Sequence, residues 1–155
     1  TDKRPLDKPV LVTRHTINEV HRSLRILVAE DNPVNRALVT ALLTKRGHKA
    51  VTVVNGREAV AAVAETVFDV VLMDVQMPEM DGLEATGAIR KSEEGTGARV
   101  PIIALTAHAM TGDREICMAA GMDGYLTKPI NAKELFALLE SLSGIPVIPP
   151  ERTAA

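Results

Sequence analysis

A chain of 155 residues with 46% hydrophobic side chains holds enough apolar material for one packed domain of ordinary size, which argues against global disorder. Lys and Arg number 18 against 20 Asp and Glu, a net charge of -2, and there is no Trp, one Tyr and two Phe, so both the basic footprint and the stacking rings of a nucleic-acid binder are missing. A single Cys excludes an internal disulfide framework, no apolar run nears the roughly 20 residues of a membrane span, and "TDKRPLDKPV" lacks a signal-peptide core, so a cytoplasmic domain without membrane contact is expected.

Residues 1–24 are mixed and charged, carry Pro5 and Pro9, and read as a connector or N-terminal arm with "TINEVHRS" as a short helix. From Arg25 two kinds of segment alternate. The strand candidates are "RILVA" (25–29), "KAVTVV" (49–54), "DVVLM" (69–73), "VPIIAL" (100–105) and "GYLT" (124–127). Helical spacing fills the gaps. Val34, Leu38, Ala41 and Leu42 share one face of the first helix, which opens on an Asn-Pro cap and stops at Gly47. Ala59, Val60, Val63 and Ala64 line the second, and Leu83, Ala88 and Ile89 the third. The fourth runs from Thr111 to near Gly121, with Cys117 packed toward the core. Leu135, Leu138, Leu139 and Leu142 line the fifth, which opens with Asn131 and Glu134 placed as a capping box. The packed unit is expected over 25–143, and the Pro-rich tail 144–155 is too short for another domain. His15, His21 and His48 have no metal-ligand spacing and read as surface residues, while Met73, Met77 and Met80 read as packing and loop residues.

Strands alternating with helices predict an α/β domain, and the lack of polar alternation in strands one and three predicts a parallel sheet covered on both faces. In such a sheet, ligands bind beyond the carboxyl ends of the strands. Glu30 and Asp31 follow strand one, Asp74 follows strand three, Thr106 ends strand four, and Lys128 with Pro129 follows strand five. Each has a plainer reading. Asp31-Asn32-Pro33 and Thr106 serve as helix caps, Asp74 and Lys128-Pro129 as turns. Together those readings need a separate coincidence at the same edge for every residue. Crowded carboxylates repel and raise one another's pKa unless a cation joins them, and an all-oxygen set that keeps some water suits Mg²⁺. Mg²⁺ beside a carboxylate, an ammonium and a hydroxyl is what phosphoryl transfer to a carboxylate requires.

The sequence resembles a receiver domain of the two-component response-regulator family from about Arg25 to Leu142. The acidic pair in "ILVAEDNPVNRALVTALL", the block "LMDVQMPEMDG", then "ALTAHAM" and "GYLTKPI" stand in the family's order, and the first two are most similar to receivers carried by hybrid sensor histidine kinases. The resemblance implies a flavodoxin-like, doubly wound sheet of order 2-1-3-4-5 flanked by five helices. It implies Asp74 as phosphoacceptor from a kinase histidine. Glu30, Asp31, the Asp74 carboxylate and the backbone carbonyl of Gln76 would hold Mg²⁺, directly or through water. Lys128 would pair with Asp74 and then with the phosphoryl group. Thr106 and the backbone N–H of Ala107 would contact phosphoryl oxygens, and Tyr125 would follow Thr106 in a switch of the face formed by the fourth helix, fifth strand and fifth helix. Pro129 would follow a cis peptide that aims Lys128 into the pocket, and Gln76 and His108 would tune the phosphoryl lifetime.

The expected partners are a histidine kinase domain, in cis or in trans, and a histidine phosphotransfer protein, with the domain itself a monomer. A hybrid kinase, membrane-tethered through its sensor, is the expected parent; a stand-alone single-domain response regulator acting by partner binding is the alternative. A phosphatase of the haloacid-dehalogenase type also uses an Asp after a strand, but wants a second Asp where this chain has Gln76. Within the receiver itself, the only chemistry expected is its own phosphorylation and dephosphorylation.

Overall fold

Short apolar runs become central strands where both of their faces find cover. In the computed structural model, which describes residues 23–107 and 111–143, β1 (Arg25–Ala29), β3 (Val70–Asp74) and β4 (Ile102–Thr106) are buried at every position except Arg25. β2 (Lys49–Val53) and β5 (Gly124–Thr127) form the edges of a five-stranded sheet of order β2-β1-β3-β4-β5, parallel throughout. This is the expected flavodoxin-like order. Successive residues of a strand point to opposite faces, which divides the core in two. Ile26, Val28, Val70, Leu72, Ile103 and Leu105 pack under α1 (Pro33–Lys45) and α5 (Ala132–Ser143). Leu27, Ala29, Val71, Met73, Ile102 and Ala104 pack under α2 (Gly56–Glu65), α3 (Gly82–Glu93) and α4 (Thr111–Ala120). Cys117 lies in that second core, 2% exposed, as its apolar helix position predicts.

Strand ends shift where a side chain claims a backbone group. Asp69 leaves strand three, and its Oδ2 accepts the Arg25 N–H at 2.8 Å. Val100 leaves strand four, its N–H donating to Glu93 Oε2 at 2.7 Å. Val54 leaves strand two, its N–H donating to Glu58 Oε1 at 3.0 Å. The caps follow the sequence more closely. Asn32 Oδ1 accepts from the N–H groups of Val34 and Asn35 ahead of Pro33, and Asn131 Oδ1 accepts the Glu134 N–H at 3.1 Å.

Two expectations are corrected. α1 is apolar most of the way round, so periodicity alone does not choose which side faces the sheet. The structure buries Val39 and Leu43, with Leu42 partly covered, and leaves Val34 74% and Leu38 42% exposed. His48 is not a surface residue but 9% exposed. Its Nδ1 accepts the Leu24 N–H at 3.1 Å and its ring lies 6.2 Å from Phe136, so a polar nitrogen inside the domain has a donor it needs. Burial, and then the nearby Arg46, holds this imidazole below its usual pKa, in keeping with an acceptor role. Leu24 itself is 1% exposed and belongs to the core under α1 and α5. Residues 1–22 of the connector expected over 1–24, with His15 and His21, and the tail over 144–155 and His108 lie outside the described residues.

Candidate functional site

Parallel pairing carries every polar rim residue to the same end of the sheet. Asp74 is the last residue of β3, paired with Leu105, and Thr106 is the last of β4, paired with Thr127. Glu30 prolongs β1 by one bond, its N–H donating to Val53 O at 3.1 Å. Lys128 follows β5, its N–H donating to Thr106 O at 2.8 Å, and the Lys128–Pro129 peptide is cis. The five rim residues Glu30, Asp31, Asp74, Thr106 and Lys128, with Gln76 and Ala107, line one open cleft of about 530 Å³. Tyr125 is not among its lining residues; it sits on β5 opposite Ala104, partly covered by the core beneath α4.

A sharp fold-back shapes one wall. Gly82 N–H donates to Val75 O at 3.0 Å, and a Cβ on Gly82 would run into the carbonyl oxygen of Asp74. Gly56 is similarly confined, since its Cβ would strike Met80 O, which accepts the Gly56 N–H at 2.9 Å. Side chains there would push the 75–81 loop off the strand ends. Glu79 turns that loop in the left-handed region, at φ 66°, and Asp81 and Glu84 close it with a reciprocal capping box.

Charge at the cleft floor is out of balance. Lys128 Nζ lies 2.9 Å from Glu30 Oε1 and 3.0 Å from Asp74 Oδ2, so this ammonium serves two carboxylates rather than the one expected. Glu30 and Asp74 are 1% and 3% exposed, and Asp31 is exposed. Asp74 Oδ1 accepts the Gln76 N–H at 3.1 Å, and Glu30 Oε2 accepts the Asn32 N–H at 3.1 Å. Burial first, and then the adjacent Glu30, pushes the Asp74 carboxyl up to about 7 against the opposing pull of Lys128. Burial also acts to raise Glu30, but the Asp74 side chain, Lys128 and the Asn32 N–H outweigh it and hold Glu30 below its ordinary value. For Lys128, burial acts to lower the pKa, yet Glu30 and Asp74 together leave it raised.

The donor set fits a hard cation. Glu30, Asp31 and Asp74 each offer a carboxylate oxygen, all within 4.8 Å of one another. Glu30 Oε1 is buried and, despite the nearby ammonium, receives no aligned hydrogen bond among the described residues. Oxygen ligands alone, two of them buried and one open to solvent, suit Mg²⁺ with retained water better than a metal that prefers nitrogen or sulfur. Sequence reasoning missed Arg36, whose Nη1 donates to the backbone carbonyls of Glu30 and Asp31 at 2.9 and 3.3 Å. A side chain that serves carbonyls leaves no pattern of residue types to read. Among the described residues no helix is long and apolar enough to cross a membrane.

The profile of the response regulator receiver domain matches residues 26–140. The sensor protein GacS of Pseudomonas syringae pv. syringae is 47% identical over 125 residues, covering 80% of this chain and 14% of that protein. Hybrid signal transduction histidine kinase I of Dictyostelium discoideum is 46% identical over 122 residues, covering 76% of this chain and 7% of that protein. The chain thus spans only a small part of these relatives. Among solved structures, the receiver domain of sensor histidine kinase PA1611 from Pseudomonas aeruginosa, which has a magnesium ion coordinated in its active-site cleft, superposes with a TM-score of 0.72 at 44% identity over 79% of this chain and 99% of that one. A chain of the co-crystal structure of the Saccharomyces cerevisiae phosphotransfer protein Ypd1 with the receiver domain of Ssk1 gives a TM-score of 0.76 at 31% identity, covering 80% of this chain and 91% of that one.

Proposed function

This chain belongs to the response regulator receiver domain family, and from that premise we propose that Asp74 accepts a phosphoryl group from a phosphohistidine, with Mg²⁺ held by Glu30, Asp31, Asp74 and the backbone carbonyl of Gln76. The observation that carries the reading is Asp74 at the floor of an open acidic cleft, 3.0 Å from Lys128 and beside two further carboxylates. An Asp74 carboxylate oxygen attacks phosphorus in line while the P–N bond breaks. The imidazole nitrogen leaves with the bonding pair and takes up a proton. Water later cleaves the aspartyl phosphate, or a second histidine accepts the group. Bound Mg²⁺ supplies positive charge to the phosphoryl oxygens and favours the ionised form of Asp74. Lys128 shifts from the carboxylates to the phosphoryl group, and Thr106 Oγ1 and the Ala107 N–H bind its remaining oxygens.

The phosphoryl group adds a charge of about -1.5 to -2. Thr106 moves toward it and Tyr125 fills the space released, so the surface of α4, β5 and α5 changes as a two-state population shift. Gln76, exposed beside the cleft, and His108 adjust access of the hydrolytic water.

A donor protein must bring its imidazole to this rim, so its surface covers the start of α1. Val34 and Leu38 stand exposed there, next to Asp31, and offer the apolar contact for a kinase domain or a histidine phosphotransfer protein. The Ypd1 co-crystal supports that class of partner. The sensor and hybrid kinases among the relatives favour a hybrid histidine kinase as the parent over a stand-alone regulator. A haloacid-dehalogenase mechanism lacks its second acid, since position 76 holds Gln.

Incubation with acetyl phosphate and Mg²⁺ should give an acid-stable, hydroxylamine-labile adduct that vanishes with a chelator. An adduct that survives Asp74→Asn, or none on the wild-type protein, would refute the assignment. Lys128→Ala should keep the fold and impair signalling sharply; loss of folding would mark Lys128 as structural instead.

A further inference from the structure

β1 ends at Ala29 and α1 begins at Pro33, so the acidic pair sits on the three-residue bridge between them. Both ends of the bridge are tied. Glu30 N–H donates to Val53 O at 3.1 Å, and Asn32 Oδ1 accepts from Val34 N–H at 2.8 Å and Asn35 N–H at 3.1 Å. Between those ties the carbonyls of Glu30 and Asp31 both accept from a single nitrogen, Arg36 Nη1, at 2.9 and 3.3 Å. The direction of each Cα–Cβ bond follows from the peptide planes on either side, so this contact orients both carboxylates. It matters most for Asp31, whose side chain is exposed.

We propose that Arg36 is a positioning residue for metal binding: its guanidinium fixes the Glu30 and Asp31 peptides so that both carboxylates converge on Asp74, and thereby sets the affinity of the cleft for Mg²⁺. The proposal rests on the reading of the cleft as a Mg²⁺ site. Arg36 does not touch the reacting atoms. Two roles are open to a cation here, and they have opposite signs. As a bare charge beside an acidic cluster, Arg36 opposes a second cation, and its removal would tighten Mg²⁺ binding. As a clamp on the ligand backbone, its removal loosens the ligands and weakens binding. Outer-shell partners of metal ligands typically govern affinity by 10- to 100-fold, and a contact made through the backbone belongs at the low end, about tenfold. Lys keeps the charge, but its ammonium sits one bond nearer the backbone than Nη1 and falls short of the two carbonyls, so it separates the two roles.

The test is Mg²⁺ titration by calorimetry of the wild-type protein, Arg36→Met, Arg36→Lys and, as a destabilised control, Leu139→Ala, with thermal unfolding recorded for each. Leu139 is fully buried in the core under α5 and is not among the residues that line the cleft. Arg36→Met should weaken Mg²⁺ binding about tenfold and Arg36→Lys nearly as much, while Leu139→Ala keeps the wild-type affinity despite its lower melting temperature. Unchanged or tighter binding by Arg36→Met overturns the proposal, as does equal weakening in Leu139→Ala. Should Arg36→Met fail to fold, wild-type affinity in Arg36→Lys overturns it alone. A wild-type protein that binds no Mg²⁺ sinks the reading of the cleft and this inference with it, an outcome distinct from all the others.

Discussion

At the carboxyl ends of the strands, Glu30, Asp31 and Asp74 face one ammonium, Lys128; at the amino ends of β4 and β5, Glu93 and Asp123 face two guanidinium groups, Arg90 and Arg99. The second cluster is saturated. Asp123 accepts from Arg90 at 2.7 Å, from Arg99 at 2.8 Å and from the Ile102 N–H at 2.9 Å, while Arg90 also reaches Glu93, Gly121 O and Val100 O. Arg90 ties α3 to the strand entrances, and Arg99 and the Ile102 N–H tie the entrances of β4 and β5 to each other through Asp123. Among the described residues the first cluster leaves Glu30 Oε1 without an aligned donor, and it raises Asp74 to about 7. One end of the sheet spends its charges on holding the fold; the other keeps a deficit that a cation and a phosphoryl group can use.

That contrast breaks first at the saturated end. Arg90→Met should cost about 3 kcal/mol, the low end for breaking a buried ion pair, because Arg90 and Asp123 keep 14% and 21% side-chain exposure. Denaturant midpoints measure it, and phosphorylation of the folded variant should be unaffected. At the deficient end, Mg²⁺ at ten times its dissociation constant should stabilise the protein by about 1.4 kcal/mol, read as a rise in melting temperature that a chelator reverses. Asp74→Asn should go the same way without metal, gaining about 1 kcal/mol at pH 8, as removal of an ill-compensated buried charge can.

The sign with pH follows from the same residue. Asp74 in the folded, metal-free protein titrates near 7, whereas in the unfolded chain it titrates near its ordinary value of about 3.9. Its contribution to stability is fully present below about pH 4 and is lost as pH rises through 7, so the fall in stability over that range should vanish in Asp74→Asn. The smallest effect on stability belongs to the α1 surface. Val34→Ser should change folding by less than about 0.5 kcal/mol yet slow phosphotransfer from a histidine donor, with labelling by acetyl phosphate untouched. If both donors slow equally, Val34 shapes the cleft and not the docking.

The sequence showed the strand order's consequences well because parallel strands of the α/β type put their carboxyl ends together, so Glu30, Asp31, Asp74, Thr106 and Lys128 could be gathered from position alone. Cys117, the Asn32-Pro33 start of α1 and the Asn131 cap were equally visible, since each rests on local chemistry. What depended on tertiary choice was not. The facing side of α1 could not be chosen among seven apolar positions between Val34 and Leu43, and His48 looked like any polar residue until the Leu24 N–H came to its ring. Arg36 and the two confined glycines, Gly56 and Gly82, act on backbone atoms, which carry no residue label. The Arg90 network joins residues up to 33 positions apart through carbonyls and carboxylates of ordinary surface types.

Cys117 has a practical consequence. It is the chain's one sulfhydryl, it is 2% exposed in α4, and burial followed by the nearby Asp113 pushes its thiol above the ordinary value. A thiolate reagent therefore has to wait for α4 to lift, and the labelling rate becomes a clock for that opening, with no engineered probe needed. Run with and without acetyl phosphate, the clock times the very helix whose surface is proposed to change.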